Sequence, residues 1–338
     1  MKKRMMTIAL CGVMAVSMFG CGKDEKKPAA KDETETTTVV DDTTEKDEEE
    51  TTTAKEEDNN VAEKEEEETT TKKPVETEPV EYEIIQKNCY YYIGGDEYDY
   101  ENTLSAGDVM PLQAQDGDVY ETPDYIYTYI ESKADGYPSG WDVTITNSSQ
   151  YGEIRDVIAS EPVVYMLATF MDVDDMVEAP TIPNTVEYMI ATFAGANGLE
   201  TVPNLPKNLV EMTGAFYECD KLTTVPEIPS GVECMDIAFY RSGIVNAPDI
   251  PSNVKTMVGT FGECSSLTGE IVFNANPEEY IGCFMYVDLV EQNISFAGST
   301  SLEPELRASR NDGGYIDDLD VINYYYEVQS LIMYGEME

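Results

Sequence analysis

Residues 212 to 235 read MTGAFYECDKLTTVPEIPSGVECM, and this stretch decides the fold because its landmarks return at a fixed step. Met166, Met189, Met212, Met235 and Met257 are each followed four positions later by Phe170, Phe193, Phe216, Phe239 and Phe261. The Met-to-Met spacings are 23, 23, 23 and 22, and Tyr280 with Phe284 continues them after a further 23. Pro180, Pro203, Pro226 and Pro248 keep the same step, as do Pro183, Pro206, Pro229 and Pro251. A repeat of roughly 20 to 50 residues is the signature of a solenoid, in which each unit buries its apolar side against its neighbours.

Within one unit, Leu222, Val225, Ile228, Val232, Met235 and Phe239 are apolar at spacings of 3, 3, 4, 3 and 4. Those spacings mimic a helix, but Pro226 and Pro229 lie inside the run and would break one. Short extended segments joined by turns are therefore expected. The Leu/Val/Ile set, the Met and the Phe point inward and form continuous ladders.

The motifs MTGAFYECDKLTTVPEIPSGVECM and MVGTFGECSSLTGEI resemble the leucine-rich repeats of the BspA-like type, over roughly residues 158 to 300. The resemblance implies a mainly β fold: a leucine-rich-repeat-type solenoid with units of about 23 residues and a sheet on one face. It also implies a place on bacterial or protist cell surfaces and, for some members, adhesion or host interaction. The pattern departs from itself where Val173 and Ala196 replace the Cys column. It departs again where YRSGIVNAP is one residue short and where GEIVFNANPEEYIGCF loses the proline pair.

Alternate residues of an extended chain point to opposite sides, so polar columns beside the apolar ones should face solvent together. Two such columns are Thr181, Asn204, Glu227 and Asp249, and Glu178, Thr201, Thr224 and Asn246. They either keep the sheet soluble or hydrogen-bond a ligand lying along it. They are the candidate ligand-binding residues.

The N-terminal part is of another kind. Residues 1–20 read as an export signal, with Met1-Lys2-Lys3-Arg4 ahead of an apolar stretch from Met5 to Phe19. That run is short for a membrane span, which needs roughly 20 apolar residues. Met18-Phe19-Gly20-Cys21 resembles a bacterial lipobox, making Cys21 the candidate lipidated residue. Simple secretion is the alternative. Residues 21–80 are almost wholly Glu, Asp, Lys, Thr and Pro, without an aromatic residue. Such a segment cannot bury enough surface to offset its ordering entropy and is expected to be a disordered tether, its threonines open to O-linked sugar.

Net charge is −46, and residues 81–338 carry 45 acids against 9 bases. That excess repels nucleic acid and anionic lipid, leaving the N-terminal lipid as the expected contact with membrane. With no histidine, Ser-His-Asp and Cys-His catalysis and imidazole metal sites are excluded. If Cys11 leaves with the signal and Cys21 carries lipid, five cysteines remain, an odd number that argues against a disulfide framework. Cys219 and Cys264 fall in one column two units apart, about 10 Å at roughly 4.8 Å per strand. They read as packing residues.

Residues 81–150 form a β-rich N-terminal cap or a small module offering Tyr and Trp faces to sugars. Strands are expected at Tyr82–Ile93, at Tyr125–Ile130 by alternation, and at Trp141–Thr146, with turns at Gly94-Gly95 and between Gly136 and Gly140. The solenoid occupies 151–300, and 301–338 form a C-terminal cap sealing its other end. Asp172–Asp175 and the acids Asp312, Asp317, Asp318 and Asp320 lack the EF-hand order, so calcium binding is at most weak.

These readings converge on a non-enzymatic protein without cofactor or metal, anchored by lipid to the outer face of a bacterial cell membrane. It binds a protein or glycan ligand through the sheet face. The alternatives are a structural spacer or self-associating envelope component, and a hydrolase working with paired carboxylates. No nucleophile elbow, phosphate loop or metal-ligand spacing accompanies the carboxylates.

Overall fold

The computed structural model describes residues 82–95, 102–146, 151–288 and 318–335. The signal, Cys21, the tether and residues 289–317 lie outside them. The described residues are mostly β, with a seven-stranded sheet and one helix. The strands are β1 (Tyr90–Tyr92), β2 (Thr103–Leu104), β3 (Val119–Glu121), β4 (Tyr125–Ile130), β5 (Gly140–Ile145), β6 (Val157–Ile158) and β7 (Glu161–Tyr165), in sheet order β2-β1-β3-β4-β5-β7-β6. The helix is α1 (Asp318–Tyr334).

Alternation governs β4 as expected: Tyr125, Tyr127 and Tyr129 are buried while Ile126 and Thr128 are half-buried on the opposite face. Tyr127 pairs with Tyr120 on one side and Val143 on the other. The strand expected over Tyr82–Ile93 is shorter. Asn88 takes a left-handed φ of 64°, and the Cys89 amide donates to the Gln86 carbonyl at 3.2 Å. That turn separates a lone bridge, Ile84 with Val109, from β1.

Strands β1 to β5 pair antiparallel, and the change to parallel comes where β5 meets β7, Trp141 opposite Val163. Gly140 permits it. A Cβ there would lie 2.8 Å from the Pro162 carbonyl oxygen and 2.6 Å from Val164 Cγ2.

From β7 onward the chain continues as single parallel bridges: Tyr165 to Tyr188, Tyr188 to Glu211, Glu211 to Cys234, Cys234 to Thr256 and Thr256 to Glu279. Backbone bonds repeat with them. The amides of Met166, Met189, Met212, Met235 and Met257 donate to the carbonyls of Tyr188, Glu211, Cys234, Thr256 and Glu279 at 2.8–3.1 Å. The phenylalanine rings from Phe170 to Phe284 stack in sequence order, with centroids 5.2–5.7 Å apart. Tyr125 and Tyr151 meet the first ring, Phe170, edge-on. One buried cluster therefore runs from Ile85 to Val287.

Two left-handed positions recur along this region. Ala168, Ala191, Gly214, Ile237, Gly259 and Gly282, each two residues after the Met position, share φ values of 47–66°. Asp172, Gly195, Glu218, Arg241, Glu263 and Tyr286, each two after the Phe, are left-handed as well, with φ values of 54–72°.

Candidate functional site

Seven of the eight candidate residues are exposed: Thr181, Glu227, Asp249, Glu178, Thr201, Thr224 and Asn246. Glu178 and Thr201 are joined by a parallel bridge, so their side chains are held beside one another. Asn204 is half-buried and differently employed. Its Oδ1 accepts from the Ile182 amide at 3.1 Å and its Nδ2 donates to the Ile182 carbonyl at 2.8 Å. The side chain stands in for a neighbouring strand.

The long parallel ladder lies elsewhere, in the column just before each Met: Tyr165, Tyr188, Glu211, Cys234, Thr256 and Glu279. Its chemistry changes from aromatic to acid to thiol to hydroxyl, which hid it from a search for repeated residue types. Helix α1 packs on its first part, with Tyr324, Val328 and Ile332 against Tyr165, Leu167, Tyr188 and Ile190. The segment expected to seal the far end of the repeat therefore lies against its near half.

Three carboxyls are buried here. Glu211, 2% exposed, accepts at Oε1 from the hydroxyls of Tyr324 at 2.6 Å and Thr213 at 2.9 Å. Burial pushes its acid up, against those hydrogen bonds. Asp142 accepts from the amides of Leu167 and Val143 at 3.1 and 3.0 Å, yet burial pushes it up to about 7. Burial also pushes Asp236 up to about 7, although the Val258 amide donates to it at 2.7 Å.

The repeated Cys and Thr positions serve the backbone. The Cys219 and Cys264 thiols donate to the carbonyls of Phe193 and Phe239 at 3.1 and 2.9 Å. The hydroxyls of Thr169, Thr192 and Thr260 donate to the carbonyls of Val143, Met166 and Met235 at 2.6–2.8 Å. All five described cysteines are buried thiols outside any disulfide, and burial pushes the Cys264 thiol up to about 12. Such thiols are poor nucleophiles.

Of the two readings of residues 81–150, a cap or a module offering Tyr and Trp faces to sugars, the second loses its tryptophan. Trp141 is fully buried, its indole N–H donating to the Ile158 carbonyl at 2.9 Å, and Tyr91, Tyr120, Tyr125, Tyr127 and Tyr129 share that core. On the Asp172–Asp175 segment, Asp174 Oδ1 accepts from the side-chain Nδ2 of Asn197 at 3.1 Å. Among the described residues no group of three or more acidic or cysteine side chains is placed to hold a metal ion.

No protein-family model matches the chain, and no curated protein is similar to it. Among solved structures the chain is similar to a leucine-rich repeat protein of T. pallidum, at 18% identity over 50% of this chain and 97% of that one, with a TM-score of 0.36. It is also similar to a leucine-rich repeat protein from Bacteroides ovatus, at 15% identity over 52% of this chain and 78% of that one, with a TM-score of 0.17.

Proposed function

We propose that this chain is a BspA-like leucine-rich repeat protein of the bacterial cell surface, anchored through a lipid on Cys21 and raised on residues 21–80. Its units of about 23 residues stack as a solenoid that binds a protein or glycan along the exposed polar columns and performs no catalysis. The observation that carries this reading is that seven of the eight residues in the columns found by the repeat are exposed while the Met and Phe residues of the columns between them are buried. A ligand lying along the repeat would meet Thr181, Glu227 and Asp249 in register, with Glu178, Thr201, Thr224 and Asn246 alongside. Asn204 contributes by holding Ile182.

An array of glycans and host proteins probed with the full chain tests the reading. Replacing Thr181, Glu227 and Asp249 by alanine should then weaken capture of the array's best ligand at least tenfold while leaving the Tm unchanged. A well-folded chain that captures nothing would favour the structural spacer. Loss of radiolabelled palmitate in Cys21→Ala, expressed in a bacterium, checks the anchor.

A further inference from the structure

Helix α1 lays a narrow stripe on the ladder. Tyr324, Val328 and Ile332 are spaced by four, which places them on one helical face, and all three are buried against β7 and the Tyr188–Ile190 segment. Its polar fastenings include the Tyr324–Glu211 bond and, near its end, the Lys133 amide donating to the Ile332 carbonyl at 2.8 Å.

Carboxyls under the helix set this contact apart from the apolar core. Glu211 is bonded directly to α1, and the charge of Asp142 acts on Tyr325, the next residue of the helix. Glu211 faces Tyr324 on α1 and acts on Asp236, and Tyr324 in turn is near Tyr137, ahead of β5, and Cys234 on the ladder. The titratable groups around Asp142 are Tyr325 on α1 and Tyr165 on β7, with Glu187 near Tyr165. These neighbours are phenols, a thiol and further acids, which supply no positive charge. A buried carboxylate in such company is costly, so the contact favours the neutral acids.

We propose that α1 is a pH-released strap: ionisation of Glu211 and Asp142 beneath it frees the helix from the ladder and uncovers Tyr165, Leu167, Tyr188 and Ile190. The protons pass to water as the carboxylates become solvated. Burial raises both acids, Asp142 to about 7, so the strap closes below neutrality and opens above it.

Hydrogen–deuterium exchange of the full chain between pH 5 and 8, corrected for intrinsic rates, reads the strap directly. Over that range peptides covering α1 should lose at least tenfold more protection than peptides covering Met212–Phe216, which report only the global loss of stability. Tyr324→Phe, which removes the hydroxyl and keeps the ring, should raise α1 exchange severalfold at pH 5. Glu211→Gln combined with Asp142→Asn should abolish the pH dependence at α1, because the amides stay neutral and still accept the same bonds. Constant protection of α1 from pH 5 to 8, a loss in α1 no larger than that in Met212–Phe216, or an unaltered pH profile in the double variant would overturn the proposal.

Discussion

The rings of Phe193 and Phe216 lie parallel, 5.5 Å between centroids and 4° between planes, although 23 residues separate them in the chain. Each ring is the floor of one neighbour and the roof of the next, and Phe216 is fully buried. Phe216→Ala should therefore cost roughly 3 to 5 kcal/mol, the usual penalty for truncating a buried aromatic. Glu227→Ala, on an exposed column, should change stability by less than about 0.5 kcal/mol. Urea unfolding of the two variants checks the contrast. Equal effects would mean the columns are misassigned.

Gly140 marks the junction between the antiparallel strands and the parallel ladder. Adding a methyl group forces apart the backbone at Pro162 and the side chain of Val164, both closer to the ideal Cβ than real contacts allow. Gly140→Ala should destabilise by about 1 to 3 kcal/mol, as overpacking does. The loss should appear in thermal unfolding as one cooperative transition, because β5 and the ladder share a core.

What the sequence made legible were the features that repeat in residue type. The Met and Phe columns, the exposed polar columns and the alternating β4 could all be read from spacing, because burial imposes one chemistry on every unit. The bridge ladder from Tyr165 to Glu279 could not, since its pairing is made by backbone groups and leaves the side chains free to vary. The dual role of Asn204 was equally silent: an asparagine that bonds a backbone and one that faces a ligand look alike in a column. Docking of α1 depends on a contact across 113 residues, which local periodicity does not encode. Its stripe at 324, 328 and 332 was a usable signal for the helix but not for its seat.

Stability should fall as pH rises from about 4 to 8. Asp142 and Asp236 have folded acids near 7, above their ordinary value of 3.8. A group raised on folding contributes fully below its unfolded pKa, and that contribution is lost as pH climbs through the folded one. A rise from 3.8 to about 7 corresponds to on the order of 4 kcal/mol per carboxyl as an upper bound. Denaturant midpoints measured across this range should decline, and Asp236→Asn, whose amide oxygen can still accept from Val258, should flatten part of the slope. A wild-type midpoint that rises toward pH 8 would contradict the burial of these acids.

The opposite sign is expected at Arg241, whose side chain bonds a residue 23 positions before it and one 22 positions after it. Its Nη1 donates to Glu218 Oε1 at 2.8 Å and its Nε to Glu263 Oε2 at 3.0 Å, while the Tyr240 hydroxyl donates to Glu263 Oε1 at 2.6 Å. Burial pushes the Glu263 acid up, but the bonds from Tyr240 and Arg241 outweigh it and hold the carboxyl below its ordinary value. A depressed acid stabilises above its unfolded pKa and loses that contribution as pH falls through the folded one, so this cluster weakens under acid while Asp142 and Asp236 strengthen. The groups are half-exposed, so solvent screening limits the effect: Arg241→Met should cost about 1 kcal/mol at low salt and neutral pH. Salt should remove the difference, since a Debye length of about 3 Å at 1 M is no longer than the pairs themselves. A double-mutant cycle with Glu263→Gln, read by urea unfolding at low and high salt, isolates the coupling. If Arg241→Met costs the same at both salt concentrations, the arginine acts through its packing on the Tyr240 ring, 5.4 Å from the guanidinium, and not through its charge.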